Sequence, residues 1–242
     1  MFKFLKNIMN NKEVNLTNDA YSLHRILKTD IKKDPNVEED EIIFGCGCFW
    51  GAEKCFWKLP GVVTTSVGYA GGEKNNPTYY EVCSGLTGHS EVVRVIWDKR
   101  EIDVSDLLKM FWECHDPTQK NRQGNDMGTQ YRSAIYYKNE NNIKTILASK
   151  EQYQTELSKK NLGLIETEIK MIDSYFYAEQ YHQQYLASAG SRQYCSASPT
   201  KVKLGVFTGS NYKLEDHIWE NFNWEVDKCV LRSDNNPIKN NI

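Results

Sequence analysis

The sequence lacks any long hydrophobic run, any excess of charge of one sign and any internal repeat. No stretch approaches the roughly 18 apolar residues of a transmembrane helix, and the mean hydropathy is −0.64, so a membrane-spanning protein is not expected. Thirty basic and 32 acidic side chains give a net charge of −2, which removes the electrostatic case for a dedicated nucleic-acid-binding protein. The 242 residues are 40% hydrophobic and 12% aromatic. That content excludes disorder over the whole length.

The number of cysteines is seven, which is odd, so they cannot all pair within one chain. The first twelve residues carry basic side chains but no sustained apolar core, so no secretory signal peptide is expected there. A reducing compartment, and hence the cytoplasm, is the expected location. Phe2, Phe4, Leu5 and Ile8 beside two lysines leave a mitochondrial targeting helix open as an alternative.

Both ends of the chain differ in composition from its middle. We expect an N-terminal extension over residues 1–40, one central domain over 41–198 and a C-terminal extension over 199–242. Helical spacing predicts a short helix in each extension, and the second of them is expected to pack on the domain. The last ten residues are polar and Asn-rich and are predicted to form a frayed tail. The apolar positions are Ala20, Leu23, Ile26 and Leu27 in the first helix, and Leu214, Ile218, Trp219 and Phe222 in the second.

Strand-like and helix-like segments alternate along the middle of the chain. This alternation predicts an α+β fold, a layered α/β sandwich with a mixed sheet, in which the strand order stays undetermined. Glycines and polar residues predict loops over 68–77 and 115–130. The predicted strands are 42–44, 91–98, 133–137 and 165–173, and the predicted helices are 49–58, 104–112, 140–159 and 177–187.

The segment Gly45-Cys46-Gly47-Cys48-Phe49-Trp50-Gly51 lies where a strand is predicted to turn into a helix. A thiol at a helix N-terminus faces unpaired N–H groups and the positive end of the helix dipole, and both favour the thiolate. Cys48 is therefore a candidate nucleophile, with Phe49 and Trp50 as an apolar wall beside it. Two buried structural cysteines next to core aromatics would produce the same local pattern.

Glu91 opens a strand directly after a Gly-rich turn, and it alternates with Val93 and Val95. This alternation places the carboxyl on an otherwise apolar face, where burial favours the protonated form and makes it a candidate acid. An exposed glutamate at the entry of a strand is the alternative.

A polar loop over residues 125–133 carries two further candidates. Asp126 beside a glycine can accept hydrogen bonds from a peptide backbone, and Tyr131 can direct its hydroxyl into a cleft. An Asx turn followed by a core tyrosine would explain the same residues.

Seven motifs in this chain together resemble one family, the A-type peptide-methionine sulfoxide reductases. They run in register from about Ile42 to Gly190, and their joint order makes the resemblance specific. The motifs are GCFWGAE, VGYAGG, NPTYYEVCSG, TGHSEVVRV, FWECHDPTQ, QGNDMGTQYRSAIYY and AEQYHQQYL.

The resemblance implies an enzyme that reduces methionine S-sulfoxide, free or in proteins, to methionine. It implies that the Cys48 thiolate attacks the sulfoxide sulfur and that Glu91 donates the proton to the oxygen. It also implies that the hydroxyls of Tyr79 and Tyr131 bind this oxygen. Phe49 and Trp50 correspond to the pocket for the S-methyl group, and Asp126 to the residue that bonds the substrate backbone.

The resemblance also implies how the enzyme is regenerated. Cys195 corresponds to the resolving cysteine, which converts the sulfenic acid on Cys48 into a disulfide that thioredoxin reduces. No metal or organic cofactor is implied, and a monomer is expected.

The cysteines depart from the family pattern at two places. In many members, the resolving cysteine is followed by a Gly-rich arm with a second recycling cysteine. Here the only cysteine after Cys195 is Cys229, which is either a second recycling thiol or a cysteine without a role in the cycle. Cys46 stands where a small residue is usual, and we expect a buried side chain rather than a resolving thiol. Cys55, Cys83 and Cys114 are interpreted as structural.

Two other functions compete with the reductase. A thiol peroxidase or redox sensor would use the same cysteine but would need neither a methyl pocket nor Glu91. A zinc module has enough ligands, but Cys46-x-Cys48 is not the usual knuckle spacing and no second half follows. His89, His115 and His182 are therefore interpreted as hydrogen-bonding residues.

Overall fold

The computed structural model describes residues 22–226 and 229–240. The candidate targeting segment at residues 1–12 lies outside them. The strands are β1 (Glu39–Cys46), β2 (Val62–Ala70), β3 (Ser90–Asp98), β4 (Arg122–Gln123), β5 (Asp126–Met127), β6 (Ser133–Tyr137), β7 (Glu168–Met171) and β8 (Tyr175–Tyr177). The helices are α1 (Phe49–Trp57), α2 (Tyr79–Cys83), α3 (Val104–Cys114), α4 (Ile143–Lys159), α5 (Asp216–Glu220) and α6 (Cys229–Arg232).

Six strands form one mixed sheet in the order β7-β6-β1-β3-β2-β8. All neighbours are antiparallel except β6 and β7, which are parallel. The central strands β1 and β3 are buried along almost their whole length, which explains why they read as continuous apolar runs. The predicted α+β class with a mixed sheet is confirmed.

Helices α1 and α3 cover one face of the sheet through aromatic contacts. Phe44 of β1 stacks on Phe56 of α1 and Phe111 of α3, with ring centroids 4.8 and 5.1 Å apart. A capping box of Asp103 and Asp106 begins α3, because both carboxylates accept backbone N–H groups that the first helical turn leaves unpaired. This packing holds the C-terminal end of β1 against the start of α1.

The loop predicted over 68–77 is wrong in its first part, since β2 extends to Ala70. Gly68 lies inside the strand because β8 approaches it closely, and a Cβ there would stand 2.3 Å from the carbonyl oxygen of Phe176. At position 68, glycine therefore permits a close contact between two backbone segments rather than a turn.

The helix predicted over 177–187 is also wrong. β8 ends at Tyr177, and two 3₁₀ turns follow at Gln180–His182 and Tyr185–Ala187. Gln183 donates to and accepts from the backbone of Val67 through its side-chain amide, at 2.8 and 2.9 Å, and Gln184 has φ of 47°. Side-chain bonds to the sheet thus replace the bonds that a continuous helix would make.

In the N-terminal extension, the described part of the predicted helix forms turns instead. An isolated bridge joins Leu23 to Asp30, and His24 Nδ1 accepts the N–H groups of Ile26 and Leu27 at 3.1 and 3.0 Å. The buried imidazole therefore organises this segment.

The C-terminal segment contributes side chains to the main core. Leu214, Ile218, Phe222 and Trp224 are all buried there. The predicted frayed tail is wrong over residues 233–238, because Trp57 Nε1 donates to Asn235 and Ile238 N–H donates to Lys58, at 3.0 and 2.9 Å. Across the described residues, no helix combines the length and apolar content that crossing a membrane requires.

Candidate active site

The candidate site lies where β1 ends and α1 begins. Gly47 adopts φ of 86°, which glycine tolerates at low cost, and Cys48 is the N-cap residue of α1. Cys48 keeps 9% of its surface exposed and opens into a cleft of about 220 Å³. The residues lining this cleft are Cys48, Phe49, Trp50, Tyr79, Glu91, Asp126, Tyr131 and Tyr194. Seven of these eight side chains are the ones predicted from the sequence, and they come from five separate parts of the chain.

Glu91 lies at the start of β3 and is 2% exposed, so it is not an exposed strand-entry residue. Its Oε2 accepts the N–H of Phe49 at the first turn of α1, at 3.1 Å. Burial, and secondarily the charge of Asp126, raise the pKa of Glu91 from 4.5 to about 8, against the opposing effect of the Phe49 N–H. Glu91 therefore carries a proton at neutral pH.

The helix N-terminus acts on the Cys48 thiol as expected, because the backbone N–H of Trp50 lowers its pKa, but burial has the larger effect. Burial first, and the charge of Glu91 second, raise the pKa of the Cys48 thiol well above its usual value, while the backbone N–H of Trp50 acts in the opposite direction. Loss of solvation outweighs the dipole here. Because Glu91 is itself neutral up to about pH 8, the cleft holds two protons near neutral pH, one on each group.

Tyr79 and Tyr131 supply two phenol hydroxyls to the cleft. Burial first, and the nearby charge of Glu91 second, raise the pKa of both tyrosines above the ordinary value. Both hydroxyls therefore remain protonated and can donate hydrogen bonds to an oxygen in the cleft.

Phe49 and Trp50 form an aromatic wall that reaches beyond the pair predicted from the sequence. Trp50 stacks on Tyr185 with centroids 3.9 Å apart, and its Nε1 donates to His182 Nδ1 at 3.1 Å. Burial lowers the pKa of His182 to about 3, so the ring is neutral and carries its proton on Nε2. The wall can accept a small apolar group beside Cys48.

Asp126 lies on β5 at the rim of the cleft. Its Oδ1 accepts the hydroxyl of Tyr194 at 2.7 Å, while Oδ2 is buried and accepts no hydrogen bond from the described residues. The second oxygen can therefore accept a backbone N–H of a bound peptide or amino acid.

Sequence reasoning missed the contribution of His182, Tyr185 and Tyr194 to the cleft. Glu179 was missed as well, and it accepts Tyr69 Oη and the backbone N–H of Tyr79, both at 2.8 Å. The motif AEQYHQQYL contains three of these residues. Its function was hidden because a helix was predicted where the 3₁₀ turns place these side chains.

Cys195 lies beside the cleft rather than in its lining. It is 5% exposed and lies outside helices and strands. Its Sγ occupies the space above Gly51, only 2.5 Å from where a Cβ at that position would stand. Gly51 is three residues beyond Cys48, so Cys195 Sγ packs on α1 about one helical turn along the chain from Cys48.

One group of potential metal ligands occurs among the described residues, formed by Cys46, Cys114 and His115. Both ring nitrogens of His115 already have partners, since Nδ1 contacts Phe111 O and Nε2 contacts Ser133 Oγ, each at 2.7 Å. Ligation through either ring nitrogen would break the hydrogen bond of that nitrogen, so the group has the character of a thiol cluster rather than a metal site. Cys229 begins α6, and its side chain lies outside the described part of the structure.

The sequence model of the family described as "Peptide methionine sulfoxide reductase" matches residues 40–212. The chain belongs to this family. Peptide methionine sulfoxide reductase MsrA of Vibrio vulnificus is 53% identical over 74% of this chain and 86% of its own length. The MsrA of Azotobacter vinelandii is 57% identical over 68% of this chain and 76% of its own.

Solved structures agree with this assignment. Methionine sulfoxide reductase A of Corynebacterium diphtheriae has a TM-score of 0.61 and 44% identity, and covers 67% of this chain and 79% of its own. The reduced form of Mxr1 from Saccharomyces cerevisiae has a TM-score of 0.62 and 36% identity, and covers 69% and 93%. The family resemblance inferred from the motifs is therefore confirmed.

Proposed function

We propose that this chain reduces methionine S-sulfoxide, free or in proteins, to methionine, with Cys48 as the nucleophile. The observation that carries the proposal is the cleft itself, in which a thiol, a protonated carboxyl and two phenols converge beside an aromatic wall. Relatives of the same family are named peptide methionine sulfoxide reductase.

The first step transfers one oxygen atom. Cys48 Sγ attacks the electrophilic sulfoxide sulfur and gives up an electron pair, while Glu91 protonates the oxygen as it gains negative charge. The hydroxyls of Tyr79 and Tyr131 donate to the same oxygen, and such preorganised donors supply the main stabilisation of a developing charge. This attack forms an S–S bond between Cys48 and the methionine sulfur. The hydroxyl then moves from the methionine sulfur to Cys48 Sγ as the S–S bond breaks, so that methionine leaves and Cys48 becomes a sulfenic acid.

The thiol proton of Cys48 needs an acceptor in this step. Near neutral pH the cleft starts with two protons, one on the thiol and one on Glu91. One proton reaches the sulfoxide oxygen, and the carboxylate left on Glu91 can take up the thiol proton. The high pKa of both groups is therefore compatible with the reaction, because no proton has to come from solvent.

Substrate orientation rests on two contacts. The S-methyl group fits against Phe49 and Trp50, and the backbone N–H of the substrate donates to the unpaired Oδ2 of Asp126. Together with the oxygen site, these contacts define three points around the sulfur, which is the minimum for selecting the S epimer.

The second step forms a disulfide between Cys48 and Cys195 and releases water. The position of Cys195 Sγ above Gly51 supports this pairing. We propose thioredoxin as the reductant that exchanges with this disulfide. A thiol peroxidase remains the second candidate, but it has no use for the aromatic wall or for a protonated Glu91.

We further propose the division into an N-terminal extension (1–40), a catalytic domain (41–198) and a C-terminal extension (199–242). A monomer in the cytoplasm is the proposed working form, since thioredoxin turnover requires a reducing compartment.

Substitution of the nucleophile tests the proposal. The variant Cys48→Ser should release no methionine from the S epimer of a peptide sulfoxide, while the wild type should release methionine from the S epimer and none from the R epimer. Cys46→Ala is the matched control two residues away and should retain the wild-type rate. Methionine release by Cys48→Ser, or faster reduction of hydrogen peroxide than of the sulfoxide by the wild type, would contradict the proposal.

A further inference from the structure

Glu53 is a fully buried carboxyl that the proposed mechanism does not use. It lies on α1 three residues after Trp50, so the two side chains share one side of the helix, and its exposed fraction is 0%. Thr65 Oγ1 and Gln184 Nε2 donate to its Oε1 at 3.0 and 2.7 Å, and the backbone N–H of Gln184 donates to its Oε2 at 2.8 Å. Two of these three hydrogen bonds therefore hold one residue, Gln184.

Gln184 lies between the two 3₁₀ turns that complete the aromatic wall. It is 1% exposed and has φ of 47°, a conformation that residues other than glycine adopt at a cost. His182, two residues earlier, accepts Trp50 Nε1 at 3.1 Å, and Tyr185, the next residue, stacks on the same indole at 3.9 Å. Glu53 is thus connected through a single residue to both contacts of Trp50.

All three partners direct a proton toward Glu53, because other contacts fix their orientation. His24 Nδ1 accepts two backbone N–H groups, so the proton of the neutral ring lies on Nε2, which donates to Thr65 Oγ1 at 2.9 Å. Gln184 Oε1 accepts the N–H of Arg25 at 3.2 Å, which leaves the amide nitrogen facing Glu53. A carboxylate, which only accepts, satisfies three donors, whereas an amide or a protonated carboxyl would direct its own hydrogen at one of them.

We propose that Glu53 is a positioning residue for the S-methyl pocket, which holds the turn at Gln184 and thereby keeps the aromatic wall in place beside Trp50. This inference rests on the proposed function, because it concerns the substrate contact assigned to that wall. Glu53 is not among the residues that line the cleft, so its effect passes through the turn. Loosening the turn should weaken the fit of the S-alkyl group and leave the groups that transfer oxygen and protons unchanged.

The charge of Glu53 gives the wild type a pH dependence of its own. Burial raises the pKa of Glu53 to about 7, against the opposing effects of its hydrogen bonds and of the charge of Arg25. Its other ionisable neighbours keep one state between pH 6 and pH 7.5, since burial lowers the pKa of His24 to about 3 and raises that of Tyr175 well above its usual value. Substrate binding should therefore weaken as the pH falls through this range.

Two substrates that differ in the size of the S-alkyl group test the proposal. First turnovers without reductant, with the S epimers of methionine sulfoxide and ethionine sulfoxide, give a half-saturating concentration and a maximal rate for each. At pH 7.5, Glu53→Gln should raise the half-saturating concentration of methionine sulfoxide about five- to tenfold, part of the roughly 10- to 200-fold that a methyl-sized contact contributes. Its maximal rate should stay within about twofold, since a contact made equally in the ground and transition states affects binding alone.

The preference for methyl over ethyl should fall in the same variant, by about threefold or more, because a wall that yields admits the larger group. In the wild type, the half-saturating concentration of methionine sulfoxide should rise from pH 7.5 to pH 6. In Glu53→Gln it should keep one value, since the amide does not titrate.

Glu113→Gln is the matched control. Glu113 is also a buried carboxyl, 2% exposed, and it accepts two lysine side chains and one backbone N–H, but it does not line the cleft. This variant should keep the wild-type half-saturating concentrations and methyl preference, whatever its stability. Gln184→Gly removes the amide donor at a φ that suits glycine, and it should change binding in the same direction as Glu53→Gln.

The outcomes separate this inference from the proposed function. A wild type that releases no methionine would refute the proposed function itself. An active wild type, with unchanged binding and methyl preference in Glu53→Gln, would refute the positioning role alone. Equal changes in Glu113→Gln, or a loss confined to the maximal rate, would also overturn that role. If Glu53→Gln does not fold, Gln184→Gly decides by the same criteria.

Discussion

Replacing Glu91 by Gln should remove a loss of stability that the wild type undergoes between pH 5 and pH 8, while impairing catalysis. Glu91 is 2% exposed, and the salt bridges of the described residues include none to its carboxylate. Its burial is tolerated because the folded protein keeps it protonated up to about pH 8. The unfolded chain releases this proton above about pH 4.5, so ionisation favours unfolding.

The sign and size follow from proton linkage. A carboxyl whose pKa is higher in the folded state makes its full favourable contribution below pH 4.5, and loses it as the pH rises to about 8. Each pH unit in this window lowers the free energy of unfolding by about 1.4 kcal/mol. Between pH 5 and pH 8, the free energy of unfolding of the wild type should therefore fall by roughly 3–4 kcal/mol more than that of Glu91→Gln.

The assay is urea unfolding of both proteins, fully reduced, at pH 5 and pH 8. Other groups that titrate in this range, such as Glu53 with its pKa raised by burial to about 7, occur in both proteins and cancel in the difference. Any constant cost of the amide cancels as well. The measured quantity is the difference in free energy of unfolding between Glu91→Gln and the wild type. A change in this difference of less than about 1 kcal/mol between the two pH values would refute the assigned protonation of Glu91.

The same variant has a kinetic signature. Its reductive step should be slower than that of the wild type, and the rate ratio should grow from pH 6 to about pH 8, because the wild type retains its acid while the variant depends on protons from solvent. A ratio that stays constant over this range would show that Glu91 does not act as a general acid.

Two further substitutions test the resolving step. Cys195→Ser should release about one methionine per chain but should not turn over with thioredoxin. Its sulfenic acid on Cys48 should be trapped by dimedone, whereas sustained turnover would mean that another thiol resolves Cys48. Gly51→Ala places a Cβ 2.5 Å from Cys195 Sγ and should displace that sulfur. Its first methionine should appear at the wild-type rate, while dimedone labelling shows a longer-lived sulfenic acid; an unchanged lifetime would contradict the resting position of Cys195.

Local sequence determines those parts of the protein that depend on near neighbours. The GCFW segment places Cys48 at a helix start, because the glycines permit the turn and the helical pattern begins directly afterwards. The alternation of Glu91 with Val93 and Val95 correctly predicts a carboxyl on a buried face. The order of the motifs also identifies the family, since seven motifs in the same order are far more specific than any one of them.

The tertiary structure alone decides the features that depend on distant contacts. Gln183 bonds to Val67 across 116 positions and converts a predicted helix into two 3₁₀ turns, which brings His182 to Trp50. The raised pKa of Cys48 comes first from burial, which outweighs the effect of the helix N-terminus.

Sequence by itself thus determined the family and the residues proposed for the chemistry, because a thiol, a carboxyl and phenol hydroxyls stand in recognisable local settings. Only the folded chain decided which protons these groups carry and which sulfur lies next to which. Desolvation and side-chain approach arise from packing between segments that are remote in sequence, as with Cys195 above Gly51, and no local pattern specifies that distance.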